Sequence, residues 1–201
     1  AFTNGIAKMN LICAAKAARV LNLPVNAEWE RVADKIKFWQ FDDGVTKEYS
    51  TYKGENIKQA DVNLLAYPLK LITDISRVRK DLAYYQVRIP TQGTPAMTQA
   101  ILSLLYSRLG DQKQAWKYFE DSYIPNLLPP FRVIAETKGG TNPYFATGAG
   151  GILQSVIMGF GGVDISYNGG LTQVHSVLPK HWKKLTLTSI GIDGKSYTVM
   201  K

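Results

Sequence analysis

The chain has 201 residues, a formal net charge of +8 and an isoelectric point of about 9.5. Its composition, 45% hydrophobic and 20% charged, is that of a globular protein long enough to bury a core. No apolar run approaches the roughly 18 residues that a membrane-spanning helix needs, so we expect no membrane partner. The lysines and arginines are scattered along the sequence, and we therefore expect no nucleic-acid partner.

Most of the sequence before residue 162 places apolar residues at helical spacing. In chain order the predicted helices are "NGIAKMNLICAAKAARV", "NAEWERVADKIKFW", "KQADVNLLAYPLKLI", "TDISRVRKDLAYYQ", "AMTQAILSLLYSRLG", "DQKQAWKYFEDSYI" and "GGILQSVIMGFGG". Their ends carry residues that cap helices: Asn26, Asp111 and either Thr73 or Asp74 before an N-terminus, and Gly110 after a C-terminus. Pro68 is expected to kink or end the third helix.

The first helix is expected to bury one stripe of its surface. The residues of that stripe are Ile6, Met9, Asn10, Cys13, Ala17 and Val20. Cys13 is the only cysteine of the sequence, and this position predicts a buried, inert thiol rather than a nucleophile. A single cysteine excludes an intrachain disulfide, and the compartment is undetermined, with a periplasmic or secreted location somewhat favoured.

The pattern changes near Gly162 to short alternating runs that predict β-strands. The segments "YNGG" and "IDG" between these runs are typical of hairpin turns. The sequence therefore predicts a mainly α fold followed by a small β region. Helices joined by alternating short and long loops favour a helical barrel or solenoid.

Three long loops are the candidate functional segments, because loops can shape irregular backbone around a ligand. They end in "NIKQAD", "VRIPTQGTPAMT" and "PPFRVIAETKGGTNPYFATGAGG", and each leads into a predicted helix. All three could thus lie at the same end of a barrel, where a polar ligand pocket forms. The third loop contains one acidic residue, Glu136. From the sequence alone, the simpler interpretation is a surface acid or a partner for Lys138.

The segments "AFTN", "IKQADVNLLAYPL", "PTQGTPAMT" and "PPFRVIAETKGGTNPYFATGAGGILQSVIMGFGGV" together resemble glycoside hydrolase family 65, over nearly the whole chain and in family order. That family contains maltose, kojibiose and trehalose phosphorylases, acid trehalases and related α-glucosidases. The resemblance implies the second half of an (α/α)6 barrel over residues 1–162 and a small C-terminal β-sheet domain over residues 163–201.

Within the family, the phosphorylases carry a His-Gly-Ser-Ser run that holds phosphate. In this sequence the matching positions are Gln92, Gly93, Thr94 and Pro95. Proline offers neither an N–H nor a side-chain donor, so a phosphate site here is doubtful. The loop is similar to that of the hydrolysing members, which also carry a glutamate at the position of Glu136.

The resemblance therefore implies that Glu136 is the general base of an inverting hydrolase. Such an enzyme needs one carboxyl group to protonate the leaving oxygen and another to activate water on the opposite face of the sugar. The family's general acid precedes the residues that match "AFTN", so we expect it to be missing N-terminal to residue 1. We accordingly expect this chain to be a fragment and, alone, to be inactive.

Lys58 and Gln59 resemble the family residues that hydrogen-bond glucose hydroxyls, and Gln92 and Thr94 are weaker candidates for placing the water. The alternative is that "KQAD" forms a solvated first helical turn, with Asp61 near the helix N-terminus. His175 and His181 have no cysteine or acid at metal-ligand spacing, so no metal and no cofactor are predicted.

The resemblance implies an α-glucosyl disaccharide, such as trehalose or kojibiose, or a glycoconjugate as the substrate. Further expected partners are the N-terminal remainder of the same enzyme and, through exposed apolar helix faces, a second copy of the chain. The alternatives are a disaccharide phosphorylase of the same family and a non-catalytic carbohydrate-binding helical module.

Overall fold

A computed structural model describes residues 1–59, 61–90, 92–166 and 168–201. Its α-helices are α1 (Phe2–Val20), α2 (Ala27–Lys35), α3 (Ile75–Gln86), α4 (Ala96–Arg108), α5 (Gln112–Asp121) and α6 (Ala146–Gln154). Short 3₁₀ helices cover Asp61–Leu65 and Ile124–Asn126, and a π-helix covers Ser155–Phe160. The strands are β1 (Leu127–Leu128), β2 (Val133–Ile134), β3 (Val163–Ile165), β4 (Leu171–Gln173), β5 (Lys184–Ile190) and β6 (Lys195–Met200). The prediction of a mainly α fold is confirmed.

The chain divides into two compact units. The first comprises residues 1–56 and 60–88, and the second comprises residues 57–59 and 89–201. Three predicted segments each include one residue outside the described part of the chain: Ala60 in "KQAD", Thr91 in "PTQGTPAMT" and Tyr167 in "YNGG". The predicted boundary between a barrel half and a β domain at residue 162 stays a prediction.

In the first unit, the helix caps follow the sequence. The Asn26 side chain accepts a hydrogen bond from Glu28 N and begins α2, and the Asp74 side chain accepts one from Arg77 N and begins α3. Asp74 rather than Thr73 is therefore the cap. Helical spacing predicts one face made of Ile75, Val78, Leu82 and Tyr85. Helix α3 buries the last three of these residues, whereas Ile75 in its first turn is exposed.

The predicted buried stripe of α1 is wrong. Ile6 and Val20 are exposed, and so is Cys13, whose thiol is not buried. Helix α1 instead buries small residues, Gly5, Ala15 and Ala18. The reason is close packing: a Cβ atom added at Gly5 would lie 2.8 Å from Leu65 Cδ2.

The predicted third helix is also wrong, because among its described residues only Asp61–Leu65 is helical, as a 3₁₀ turn. The Glu48 carboxylate accepts a hydrogen bond from Val62 N at 3.0 Å, which holds the start of this turn. The main-chain N–H groups of Leu71 and Ile72 both donate to Leu65 O, at 2.8 and 3.1 Å. The chain therefore folds back on itself where the sequence pattern indicates a continuing helix.

The second unit is built around α4, which has buried residues along its whole length. Asp111 caps α5 by accepting from Gln114 N, and Gly110 ends the preceding turn with φ +83°, as predicted. The glycine-flanked apolar helix is confirmed as α6 and the π-helix, and both pack on α4. A Cβ atom added at Gly159 would lie 3.1 Å from Leu104 Cα, so a larger residue here would push the two helices apart by a few tenths of an ångström.

Two hairpins end the second unit. Strand β3 pairs antiparallel with β4, and β5 pairs antiparallel with β6. The predicted "IDG" turn lies between β5 and β6, while the "YNGG" turn lies between β3 and β4 and includes a residue outside the described part. None of the described helices is long and apolar enough to cross a membrane.

Candidate active site

Glu136 lies just after β2, in the third of the predicted loops. Strand β2 pairs antiparallel with β1, with Leu127 opposite Ile134. Because the two strands are only two residues long, hydrogen bonds outside the ladder fix the backbone that follows them. Phe145 N donates to Ile134 O at 2.9 Å, which brings the far end of the loop back to β2.

The main chain at Glu136 is joined to the loop that precedes α4. Ala96 N donates to Glu136 O at 2.9 Å, and Pro95 and Thr137 form an isolated antiparallel bridge. Ala96 is the first residue of α4, so its N–H has no partner inside the helix. The Glu136 carbonyl thus satisfies a helix-end donor, and the second and third predicted loops meet at this point.

The first predicted loop also reaches Glu136. Lys58 Nζ lies 3.4 Å from Glu136 Oε1, and the two side chains are 60% and 39% exposed. Both residues belong to the second compact unit. An ion pair between solvated side chains stabilises a fold by at most about 1 kcal/mol, so its interest lies in the two groups that it brings together.

The other predicted site residues take different positions. Thr94 is buried, and its hydroxyl donates to Pro90 O within the same loop. Gln92 is exposed and Gln59 is half-buried. The structure thus joins Lys58 to Glu136 and ties the Thr94 hydroxyl inside its own loop. The roles given to Gln59, Gln92 and Thr94 stay predictions.

Sequence reasoning missed Asn126, which is only 2% exposed. Its side-chain Nδ2 donates to Ala135 O and to Glu136 O, both at 3.1 Å. A signal was available: a lone amide in the apolar run "IPNLLPP" must find hydrogen-bond partners if the run is buried. The sequence alone could not say that those partners adjoin the predicted base.

Tyr84, Tyr85 and Tyr144 carry aromatic rings of a type that can stack on sugar. Tyr85 is fully buried and belongs to the core, and the Arg88 guanidinium lies 3.5 Å from the centre of the Tyr84 ring. Tyr144 is exposed and has a φ of +61°, in the left-handed region that tyrosine rarely occupies. Among these residues only Tyr144 lies in one of the predicted functional loops.

Comparison with known proteins gives close relatives over the whole chain, although no family profile matches it. A kojibiose hydrolase from Mucilaginibacter mallensis is 64% identical over 199 residues, and one from Flavobacterium johnsoniae is 61% identical. In both cases the match covers 99% of this chain and 29% of the relative. The chain is homologous to part of a glycoside hydrolase.

A more distant relative is a protein-glucosylgalactosylhydroxylysine glucosidase from Dictyostelium discoideum, 32% identical over 98% of this chain and 28% of its own length. These names confirm the resemblance to the hydrolysing members of glycoside hydrolase family 65. The chain spans less than a third of the curated relatives that it matches.

Proposed function

We propose that this chain supplies the water-activating side of an inverting hydrolase site that acts on an α-glucosyl disaccharide such as kojibiose or trehalose. The observation that carries the proposal is the contact between Glu136 and Lys58, 3.4 Å apart at the junction of three loops. The family resemblance implies that Glu136 is the base and that Lys58 is the cation that binds glucose.

In the proposed reaction Glu136 removes a proton from water as the water attacks the anomeric carbon. A second carboxyl group protonates the leaving oxygen on the other side, and in inverting enzymes the two lie roughly 6.5–9.5 Å apart. We propose that this acid comes from residues N-terminal to this sequence. The Lys58 ammonium and the Gln59 amide hold the glucose hydroxyls, while Gln92 and Thr94 place the water, Thr94 as an acceptor because its hydroxyl proton goes to Pro90 O.

The loop before α4 supports hydrolysis over phosphorolysis. The Thr94 hydroxyl already donates to Pro90 O, and Pro95, the residue before α4, has no N–H to donate. Neither the Thr94 hydroxyl proton nor an N–H at Pro95 is therefore available to a phosphate dianion, which binds where several N–H or O–H groups converge. Binding a water molecule requires fewer hydrogen-bonding groups, since one acceptor and one positioned donor suffice.

The test is glucose release from kojibiose and trehalose, with and without inorganic phosphate, by the protein at its natural length. We expect release that does not depend on phosphate and first yields the β-anomer of glucose. Glu136→Gln should lower kcat by roughly 10²–10⁴-fold, the range for losing a general base. The matched control is Glu30→Gln, an exposed glutamate paired with Arg19, which should leave kcat unchanged.

Other outcomes favour the alternatives. Formation of glucose 1-phosphate that requires phosphate would indicate a phosphorylase. Sugar binding that needs Lys58, with no cleavage of either disaccharide, would indicate a carbohydrate-binding module. Full activity of Glu136→Gln would contradict the assignment of the base.

A further inference from the structure

Asn126 makes several hydrogen bonds to the residues that present Glu136. It ends the 3₁₀ helix Ile124–Asn126, directly before β1, and its side chain is buried. Its Nδ2 donates to Ala135 O and Glu136 O at 3.1 Å, and its main-chain carbonyl accepts from Ala135 N at 2.8 Å. Both N–H bonds of the amide therefore serve the same two-residue stretch.

The Glu136 carbonyl oxygen accepts two hydrogen bonds. One comes from Asn126 and the other from Ala96 N at 2.9 Å. A carbonyl oxygen has two lone pairs, so its capacity is filled. The carboxylate of Glu136, in contrast, is part-exposed, and its ion pair with Lys58 is a weak restraint. The main chain at Glu136 is thus held more firmly than its carboxylate.

We infer that Asn126 is a positioning residue for the general base, an inference that rests on the proposed function. A base must lie within about 0.5 Å of its productive position to accept the proton of water as it attacks. Asn126 holds the main chain at Glu136 from one side, and the first residue of α4 holds it from the other. Loss of the Asn126 amide frees residues 135–136 on one side while Glu136 stays chemically intact.

The test compares Asn126→Leu, which removes both donors at similar size, with Ser103→Ala in the protein at its natural length. Ser103 is fully buried, and its hydroxyl donates to Ala115 O at 2.8 Å, so the control also removes a buried side-chain bond to the main chain. Asn126→Ser, which keeps one donor, serves if the leucine variant does not fold. The substitutions at both positions are made in the native protein and in the Glu136→Gln variant.

We expect Asn126→Leu to lower kcat 10–100-fold with KM within about twofold, and to speed hydrogen exchange in residues 133–138. Ser103→Ala should lower stability without changing kcat. In Glu136→Gln, fluoride release from α-glucosyl fluoride should not fall further when Asn126 is replaced, because the base is already gone.

Full kcat in a folded Asn126 variant, unchanged exchange in residues 133–138, or an equal loss in both backgrounds would overturn the inference. Each of these results leaves the base assignment standing if Glu136→Gln is inactive. Full activity of Glu136→Gln would instead overturn the proposed function itself, whatever the Asn126 variants show.

Discussion

Lys58 Nζ lies 3.4 Å from Glu136 Oε1, although 78 residues separate the two in sequence. The pair connects a loop that resembles a glucose-binding segment to a loop that resembles the site of a catalytic base. Because the Lys58 side chain is mostly exposed and that of Glu136 is part-exposed, the pair contributes little to folding. In the proposed site, a sugar that takes a hydrogen bond from Lys58 would lie close to Glu136.

We expect Lys58→Met to raise KM for an α-glucosyl disaccharide by roughly tenfold or more, the loss of one charge-assisted hydrogen bond. The free energy of unfolding should change by less than about 1 kcal/mol. KM comes from glucose release by the protein at its natural length, and stability comes from urea unfolding.

Lys117→Met is the matched control. Lys117 forms an ion pair with Asp121 at 2.8 Å, and the two side chains are 56% and 42% exposed, much like Lys58 and Glu136. The control should show the same small change in stability with an unchanged KM. An equal rise of KM in both variants would remove Lys58 from the sugar site.

Local chemistry explains which parts of the fold the sequence could predict. The caps at Asn26, Asp74 and Asp111 are correct because a capping side chain bonds a backbone N–H only two or three residues away. The prediction of the buried face of α1 was wrong because alanines and glycine make that helix apolar on several sides. Which side is buried then depends on a distant residue, Leu65.

The site divides in the same way. Glu136 and Lys58 could be named as candidates from the family resemblance; the structure brings their side chains together, and their roles stay predictions. Asn126 could not be named as a candidate from the sequence, because the hairpin of β1 and β2 brings its partners at residues 135 and 136 near. A buried amide must form hydrogen bonds, but the sequence does not show which residues are its partners.

Glu48 makes a pH-dependent contribution to stability in the first unit. Burial raises the pKa of Glu48 from its ordinary 4.5 to about 7, although Val62 N donates to the carboxylate. The folded chain therefore holds this proton more tightly than the unfolded chain. Its contribution to stability is complete below about pH 4.5 and is lost as the pH rises through about 7.

We expect Glu48→Gln to reduce the fall in stability between pH 4.5 and 7, a change on the order of 2 kcal/mol by linkage. Glutamine keeps an acceptor for Val62 N but does not ionise. Part of the slope should remain, because burial also raises the pKa of Asp61. Urea unfolding at several pH values checks this, with exposed Glu30→Gln as the control; parallel curves for native protein and Glu48→Gln would contradict it.

The close packing of the π-helix on α4 gives a prediction for Gly159. A Cβ atom there would lie 3.1 Å from Leu104 Cα, a main-chain atom that cannot rotate away. Gly159→Ala should therefore destabilise the protein by about 1–3 kcal/mol through overpacking. Gly150 in α6 is the matched control, because nothing lies within 4 Å of its added Cβ.

Gly150→Ala should stabilise the protein by about 0.5–1 kcal/mol, because alanine favours the helix and meets no neighbour. Thermal and urea unfolding of the two variants would measure the difference in sign. Opposite signs would show that the close approach of the π-helix to α4, rather than the helix propensity of glycine, explains the glycine at position 159. Stabilisation by Gly159→Ala would mean that the π-helix lies further from α4 than the 3.1 Å contact requires.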